Sequence, residues 1–370
     1  ISFYTFQALG YVIDVYRGDV KAERNFLKYA LFVSFFPQLV AGPIERSKNL
    51  LAQVNEDHPF SYDNFRFGFI QMLYGYFLKI VLADRIALYV DWVFADHVTF
   101  GGWYLVVAMM LFAVQIYCDF YGYSMIAKGA AQIMGFQLME NFHAPYLVTS
   151  VADFWRNWHI SLTSWFKDYL YIPLGGSRKG TVRKYINKMI VFLVSGLWHG
   201  ASVTYVIWGG LNGLYQVAEE LLGGWIEKLR GIKASGKENR KSRESTFGGN
   251  LLRGIITFVL VDFAWLFFRA SYVSEAFEII KSIATVHNPW ILFDGSLYGL
   301  GLDRKNFQLM LLCIVFLILM DLCKIYKVNL KEWYLKQHRA FQCVLVAGMT
   351  IFVLLFGLYG PTYDASHFIS

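Results

Sequence analysis

Charge is scarce in this sequence: 16% of its 370 residues are Asp, Glu, Lys or Arg, against 56% hydrophobic and 18% aromatic, with a mean hydropathy of +0.40. A soluble domain of ordinary usage carries about a quarter charged residues, so that class is excluded and an integral membrane protein is expected. Cysteine is scarce as well. Cys118, Cys313, Cys323 and Cys343 lie in or beside apolar segments without C-x-x-C spacing. This pattern argues against a disulfide framework or a thiolate metal site and leaves packed thiols. No third His, Cys or carboxylate stands at ligand spacing beside the chain's prominent histidines, so no metal is expected. There is no repeat of long period and no signal-peptide pattern. Because Ile1 already lies in an apolar run, upstream sequence is expected, including the N-terminal part of the membrane core.

Long apolar runs occupy 65–81, 103–117, 203–222, 252–268, 307–322 and 341–358, with shorter or interrupted ones at 1–15, 29–44, 121–136 and 189–198. Without water in the bilayer core, backbone groups must be satisfied within each segment, so an all-α polytopic membrane protein is expected, one domain over 1–370. Phe36-Pro37-Gln38-Leu39-Val40-Ala41-Gly42-Pro43 carries two prolines and a glycine inside an apolar stretch, which predicts a broken or re-entrant segment. Arg17, Glu45 and Arg46 flank it as candidate interfacial anchors.

The net charge of +7 and pI near 9.0 could indicate nucleic acid, but the basic residues lie in loops between apolar runs. They set topology instead. Arg178, Lys179, Arg183, Lys184 and Lys188 stand together without an acid, and 228–243 holds seven basic residues against Glu238 alone. Both stretches are expected on the cytoplasmic side, and 228–250 reads as a basic cytoplasmic loop.

Two histidines stand out, His159 in Phe154-Trp155-Arg156-Asn157-Trp158-His159-Ile160-Ser161 and His199 in Gly196-Leu197-Trp198-His199-Gly200. At 100° per residue, Trp155, Trp158, Leu162, Trp165, Phe166 and Tyr169 share one arc with His159, while Asp153, Arg156, Asn157, Ser161, Ser164, Lys167 and Asp168 share the other. One amphipathic helix is therefore predicted, ended by Tyr171-Ile172-Pro173-Leu174-Gly175-Gly176. With Lys188 at the cytoplasmic face, the residues to His199 rise about 16 Å, half of a core of roughly 30 Å. His199 would then occupy an internal corner near the midplane.

A desolvated imidazole is expected to be neutral near pH 7 and so a competent general base. By taking a proton from a hydroxyl it lets that oxygen attack a thioester carbonyl, and a second histidine can position the nucleophile or the developing oxyanion. A lone His on an apolar face is more often a packing residue, and that reading stands beside the catalytic one. Asp119, between two apolar runs, reads either as a polar clasp between helices or as part of the chemistry. A proton-coupled transporter or flippase using intramembrane His and Asp is the principal alternative, and a scaffold that recruits a transferase is a weaker one.

Several motifs agree in order with one family. Ser2-Phe3-Tyr4-Thr5-Phe6-Gln7 with Tyr11 to Arg17, Phe35-Phe36-Pro37-Gln38 through Gly42-Pro43-Ile44, and Asp119 with Gly122-Tyr123-Ser124 come first. Glu140-Asn141-Phe142 with Pro145-Tyr146, the Trp155 to Leu162 segment, Trp165-Phe166 through Gly175-Gly176, and Leu197-Trp198-His199-Gly200 follow. Together these resemble the membrane-bound O-acyltransferase family, in its bacterial branch of alginate O-acetylation and D-alanyl-lipoteichoic acid acyltransferase proteins. The resemblance runs from residue 1 to about Trp265; the last hundred residues match in character alone, although Tyr359-Gly360 with 364–369 is similar to the family's terminal region. Met125 departs from it, since relatives often carry Asp after Gly-Tyr-Ser.

The resemblance implies a helical core around a funnel or tunnel, with His199 as principal catalytic residue and His159 as the second. Trp198, Asp119, Trp158 and Asn157 would line the tunnel or support it. It further implies transfer of an acyl group, acetyl foremost, from a cytoplasmic thioester such as acetyl-CoA to hydroxyls of an extracytoplasmic envelope polysaccharide. No bound cofactor is expected. The implied setting is the bacterial cytoplasmic membrane, with lipids, the thioester, the polysaccharide and an extracytoplasmic acetyltransferase as partners.

Overall fold

A computed structural model describes residues 3–38, 42–229 and 246–359, the side chains of 224–229 excepted. Most of the basic loop expected at 228–250, the middle of the broken segment at 39–41 and the terminal motif at 360–369 lie outside the described residues. The described chain is helical, with no strand among those residues. In order the helices are α1 (Phe3–Tyr16), α2 (Phe26–Ser34), α3 (Tyr62–Tyr76), α4 (Asp84–Ala95), α5 (Trp103–Ile133), α6 (Val151–Asn157) and α7 (Ile160–Phe166). They continue with α8 (Thr181–His199), α9 (Val203–Leu229), α10 (Phe247–Arg269), α11 (Val273–Thr285), α12 (Arg304–Ile325), α13 (Leu330–Leu335) and α14 (Arg339–Phe356). Helices α5, α10, α12 and α14 are long and apolar enough to cross a membrane, as a multi-pass protein requires. The chain divides into two compact units: Ile1–His143, His159–Trp165 and Glu278–Ser370 in the first, Ala144–Trp158 and Phe166–Phe277 in the second.

In the first unit, the runs at 103–117 and 121–136 join into one helix, α5, of 31 residues. At 1.5 Å per residue it is about 46 Å long, more than the hydrocarbon core requires. Gly122 does not break it, because this glycine is a contact point. A Cβ on Gly75 of α3 would meet the Gly122 carbonyl oxygen at 2.7 Å, and one on Gly122 would meet the Gly75 carbonyl at 2.8 Å. Gly68 and Gly129 repeat the arrangement one heptad along. Small residues let two backbones approach within a membrane core, where packing rather than hydrophobic burial holds helices together. A π-helical segment, Phe77–Ala83, then carries α3 into α4. From α4, Arg85 donates to the Phe356 carbonyl at the end of α14 at 2.8 Å and to Asn306 of α12 at 3.3 Å, which fixes both helix ends.

The broken segment is real: α2 ends at Ser34 and the chain turns through Phe36, Pro37 and Gln38. Polar side chains take up the freed backbone groups. Gln7 donates to the Phe32 carbonyl at 2.6 Å, and Gln38 donates to the Gln7 side chain at 2.8 Å. Glu45 is no interfacial anchor. It is buried and accepts hydrogen bonds from Asn49 and the Met139 amide.

In the second unit, α8 and α9 form a hairpin. A Cβ at Gly196 would collide with the Tyr205 carbonyl, and one at Gly209 with the Phe192 carbonyl. Lys184 and Lys188 of α8 both reach Glu220 of α9, the latter at 2.7 Å, so two of the basic residues in 178–188 clamp this hairpin. Arg178, Lys179 and Arg183 are exposed.

Gly75→Val should cost about 1–3 kcal/mol, because the added methyls meet backbone rather than a flexible side chain. Thermal unfolding of the detergent-solubilised protein would register this as a lower midpoint, and an unchanged midpoint would contradict the close α3/α5 contact.

Candidate active site

His199 is the last residue of α8, where the chain turns back toward α9. Gly200 permits the turn, since a Cβ there would meet Tyr205 ring carbons at 2.7 and 2.9 Å. Ser202 caps the return, its hydroxyl accepting from the Thr204 amide at 3.3 Å. The corner expected at Trp198-His199-Gly200 is therefore present.

Aromatic rings surround the imidazole. Trp198 lies 4.4 Å away between centroids, Phe268 5.0 Å and Trp208 5.1 Å, the last two nearly perpendicular to it, with Tyr205 at 6.2 Å. Trp198 comes from α8 itself and the other walls from α9 and α10, and they brace one another: Trp208 stacks on Trp265 at 5.6 Å and meets Phe268 at 5.2 Å. No described residue hydrogen-bonds either ring nitrogen of His199. Among the described residues, the imidazole is held by the shape of its aromatic surroundings.

Behind this cage lies a second aromatic layer, tied by hydrogen bonds. Trp155 donates to Asn212 at 3.1 Å, Asn212 donates to the Trp208 carbonyl at 2.9 Å, and Trp265 donates to the Tyr146 hydroxyl at 3.2 Å. Trp158 is buried in it, stacked on Phe154 at 5.4 Å and against Trp265 at 5.1 Å. Asn157, at the end of α6, donates to the Asp153 carbonyl at 2.8 Å. Trp158 and Asn157 thus support the fold of the second unit. Trp208 and Phe268, which touch His199 directly, were not singled out by sequence; their signal was aromatic residues amid many others.

His159 belongs to the first unit, and its surroundings differ. The single amphipathic helix expected here is broken: α6 ends at Asn157, α7 begins at Ile160, and His159 adopts a left-handed backbone with φ of 43°. The break resets the helical phase, so Ser161, expected on the polar arc, is fully buried. The imidazole packs edge-on against Phe120 at 4.6 Å and near Phe3 at 5.9 Å, with the Ser161 hydroxyl 3.4 Å from Nδ1.

Asp119 is a clasp. Its Oδ1 lies 2.7 Å from Lys79 Nζ, which also lies 2.7 Å from Asp84 Oδ1. Lys79 is buried inside the apolar run 65–81. A separate polar cluster lies in the same unit, where Tyr117 donates to Asp321 at 2.9 Å and Lys324 meets the same carboxylate at 2.9 Å. Among the described residues no cluster of His, Cys, Asp or Glu could hold a metal ion.

Lys79→Met should destabilise the protein by about 3–5 kcal/mol, because two carboxylates lose their shared cation in an apolar interior. Adding Asp84→Leu and Asp119→Leu should recover most of the loss. Unfolding midpoints of the three proteins in detergent check this, and a single substitution that leaves the midpoint unchanged would contradict the clasp.

Comparison with known proteins bears on the site. The probable alginate O-acetylase of Pseudomonas fluorescens is 41% identical over 277 residues, covering 75% of this chain and 52% of that protein. Its counterpart in Pseudomonas aeruginosa is 40% identical over 284 residues, covering 76% and 51%. The peptidoglycan O-acetyltransferase of Helicobacter pylori is 33% identical over 309 residues, covering 76% and 56%. The chain spans about half the length of these curated relatives. A family model described as MBOAT, membrane-bound O-acyltransferase family, matches residues 19–234, a span that contains both His159 and His199 and more than half the chain. The chain belongs to the membrane-bound O-acyltransferase family.

Proposed function

We propose that this chain carries the catalytic part of an O-acetyltransferase that moves an acetyl group from a cytoplasmic thioester, acetyl-CoA foremost, to hydroxyls of an extracytoplasmic envelope polysaccharide. Family membership supports acyl transfer, and the printed activities of its relatives, on alginate and on peptidoglycan, support O-acetylation of a glycan. The observation that supports the reading is His199: a histidine at a glycine-flanked corner, walled by aromatic carbon, with neither ring nitrogen hydrogen-bonded among the described residues.

In this reading the acceptor hydroxyl gives its proton to His199 as its oxygen attacks the thioester carbonyl. A tetrahedral oxyanion forms, the carbon–sulfur bond breaks, and the imidazolium returns its proton to the departing thiolate. The products are an acetyl ester and a free thiol. The aromatic walls exclude water, which would otherwise take the acetyl group by hydrolysis. His159, Trp198 and the bacterial cytoplasmic membrane belong to the same proposal. So does an extracytoplasmic acetyltransferase as partner, supported by resemblance to the alginate branch.

His199→Ala should abolish label transfer in membrane vesicles from expressing cells given radiolabelled acetyl-CoA, a loss of at least about a hundredfold if the base is removed outright. Its abundance and its gel-filtration profile in detergent should match the parent protein. Label transfer at the parent rate would overturn the assignment.

A further inference from the structure

A left-handed backbone at a histidine buried to 4% exposure has to be imposed by its surroundings. Asn141 contributes to this. Asn141, itself 1% exposed, lies in the extended stretch after α5 and makes three hydrogen bonds around the His159 break. Its backbone carbonyl accepts from the Ile160 amide at 2.9 Å. Its side-chain Oδ1 accepts from the Ser161 amide at 3.3 Å, and its Nδ2 donates to the Ser124 hydroxyl on α5 at 3.1 Å.

The two amides it captures are the first of α7, which have no acceptor within their own helix. A continuous α6/α7 helix would instead bond them to carbonyls one turn earlier. By supplying both acceptors, Asn141 makes the break favourable and sets the turn that carries the imidazole. It also places Ser161, whose hydroxyl lies 3.4 Å from His159 Nδ1. The segment that carries His159 is thereby referred to α5 through Asn141, its main-chain carbonyl holding the Ile160 amide and its side chain joining the Ser161 amide to Ser124.

We propose that Asn141 is the positioning residue of His159 in acyl transfer, acting through the backbone after His159 and through Ser161. The proposal rests on the acetyltransferase reading above. An amide suits the task because it accepts from one neighbour and donates to another at once. Asp keeps the acceptor for the Ser161 amide, whereas Leu keeps neither function at nearly the same volume.

Full-chain protein in membranes from expressing cells, given radiolabelled acetyl-CoA, provides the test, with rates normalised to folded protein by detergent gel filtration. Asn141→Leu should lower kcat by about 10- to 100-fold with KM for acetyl-CoA little changed, as a misplaced group does. Asn141→Asp should be faster than Asn141→Leu. In a His159→Ala background, Asn141→Leu should have no further effect, because the residue through which it acts is gone. Parent-level kcat in Asn141→Leu, an Asp variant no faster than the Leu variant, or independent losses that multiply in the double variant would each overturn the proposal while leaving His199 in place. Absence of label transfer by the parent protein would overturn the acetyltransferase reading, and this proposal with it.

Discussion

A polar group buried among hydrocarbon has no water to turn to, and its position is therefore set by whatever compensates it. This constraint organises the first unit. Lys79 holds Asp84 and Asp119 together; Tyr117 and Lys324 hold Asp321; Gln7 and Gln38 occupy the backbone groups freed where α2 stops. The long helix α5 can run through Asp119 and Gly122 because the first is paired and the second gives α3 room to approach.

His199, in the second unit, is half-buried and lies in a different setting. Its neighbours are rings, not donors or acceptors, and the ring planes of Trp208 and Phe268 stand across it. A serine-protease histidine is oriented by a carboxylate that selects its tautomer. Among the described residues, His199 is oriented by packing against rings. The hydrogen-bonded layer behind the cage, from Tyr146 and Trp155 through Asn212, gives that packing its rigidity.

Much of this was legible in the sequence. Apolar runs placed the long helices, Pro37 and Pro43 marked the broken segment, and the glycines around His199 marked its corner, since each of these is a local signal. What escaped was set by distant partners. A helical arc drawn through residues 153–169 assumes that amides bond four residues back, but Asn141 takes two of them and breaks the helix at His159. Asp119 looked like an interruption because Lys79 lies forty positions earlier in an apolar run. Glu45 looked like an anchor because one of its partners, the Met139 amide, is remote in sequence. The aromatic cage was hidden for the opposite reason: in a chain that is 18% aromatic, Trp208 and Phe268 carry no contrast.

Residue-resolved carbethoxylation tests the central claim, that His199 presents reactive nitrogens which perform the transfer. Diethylpyrocarbonate attacks neutral imidazole nitrogens, and mass spectrometry of the digested protein reports the extent at each of the eight histidines. Loss of acetyl transfer should follow modification of His199 in proportion, and acetyl-CoA should slow both together. Full transfer activity in protein whose His199 is completely modified would contradict the account.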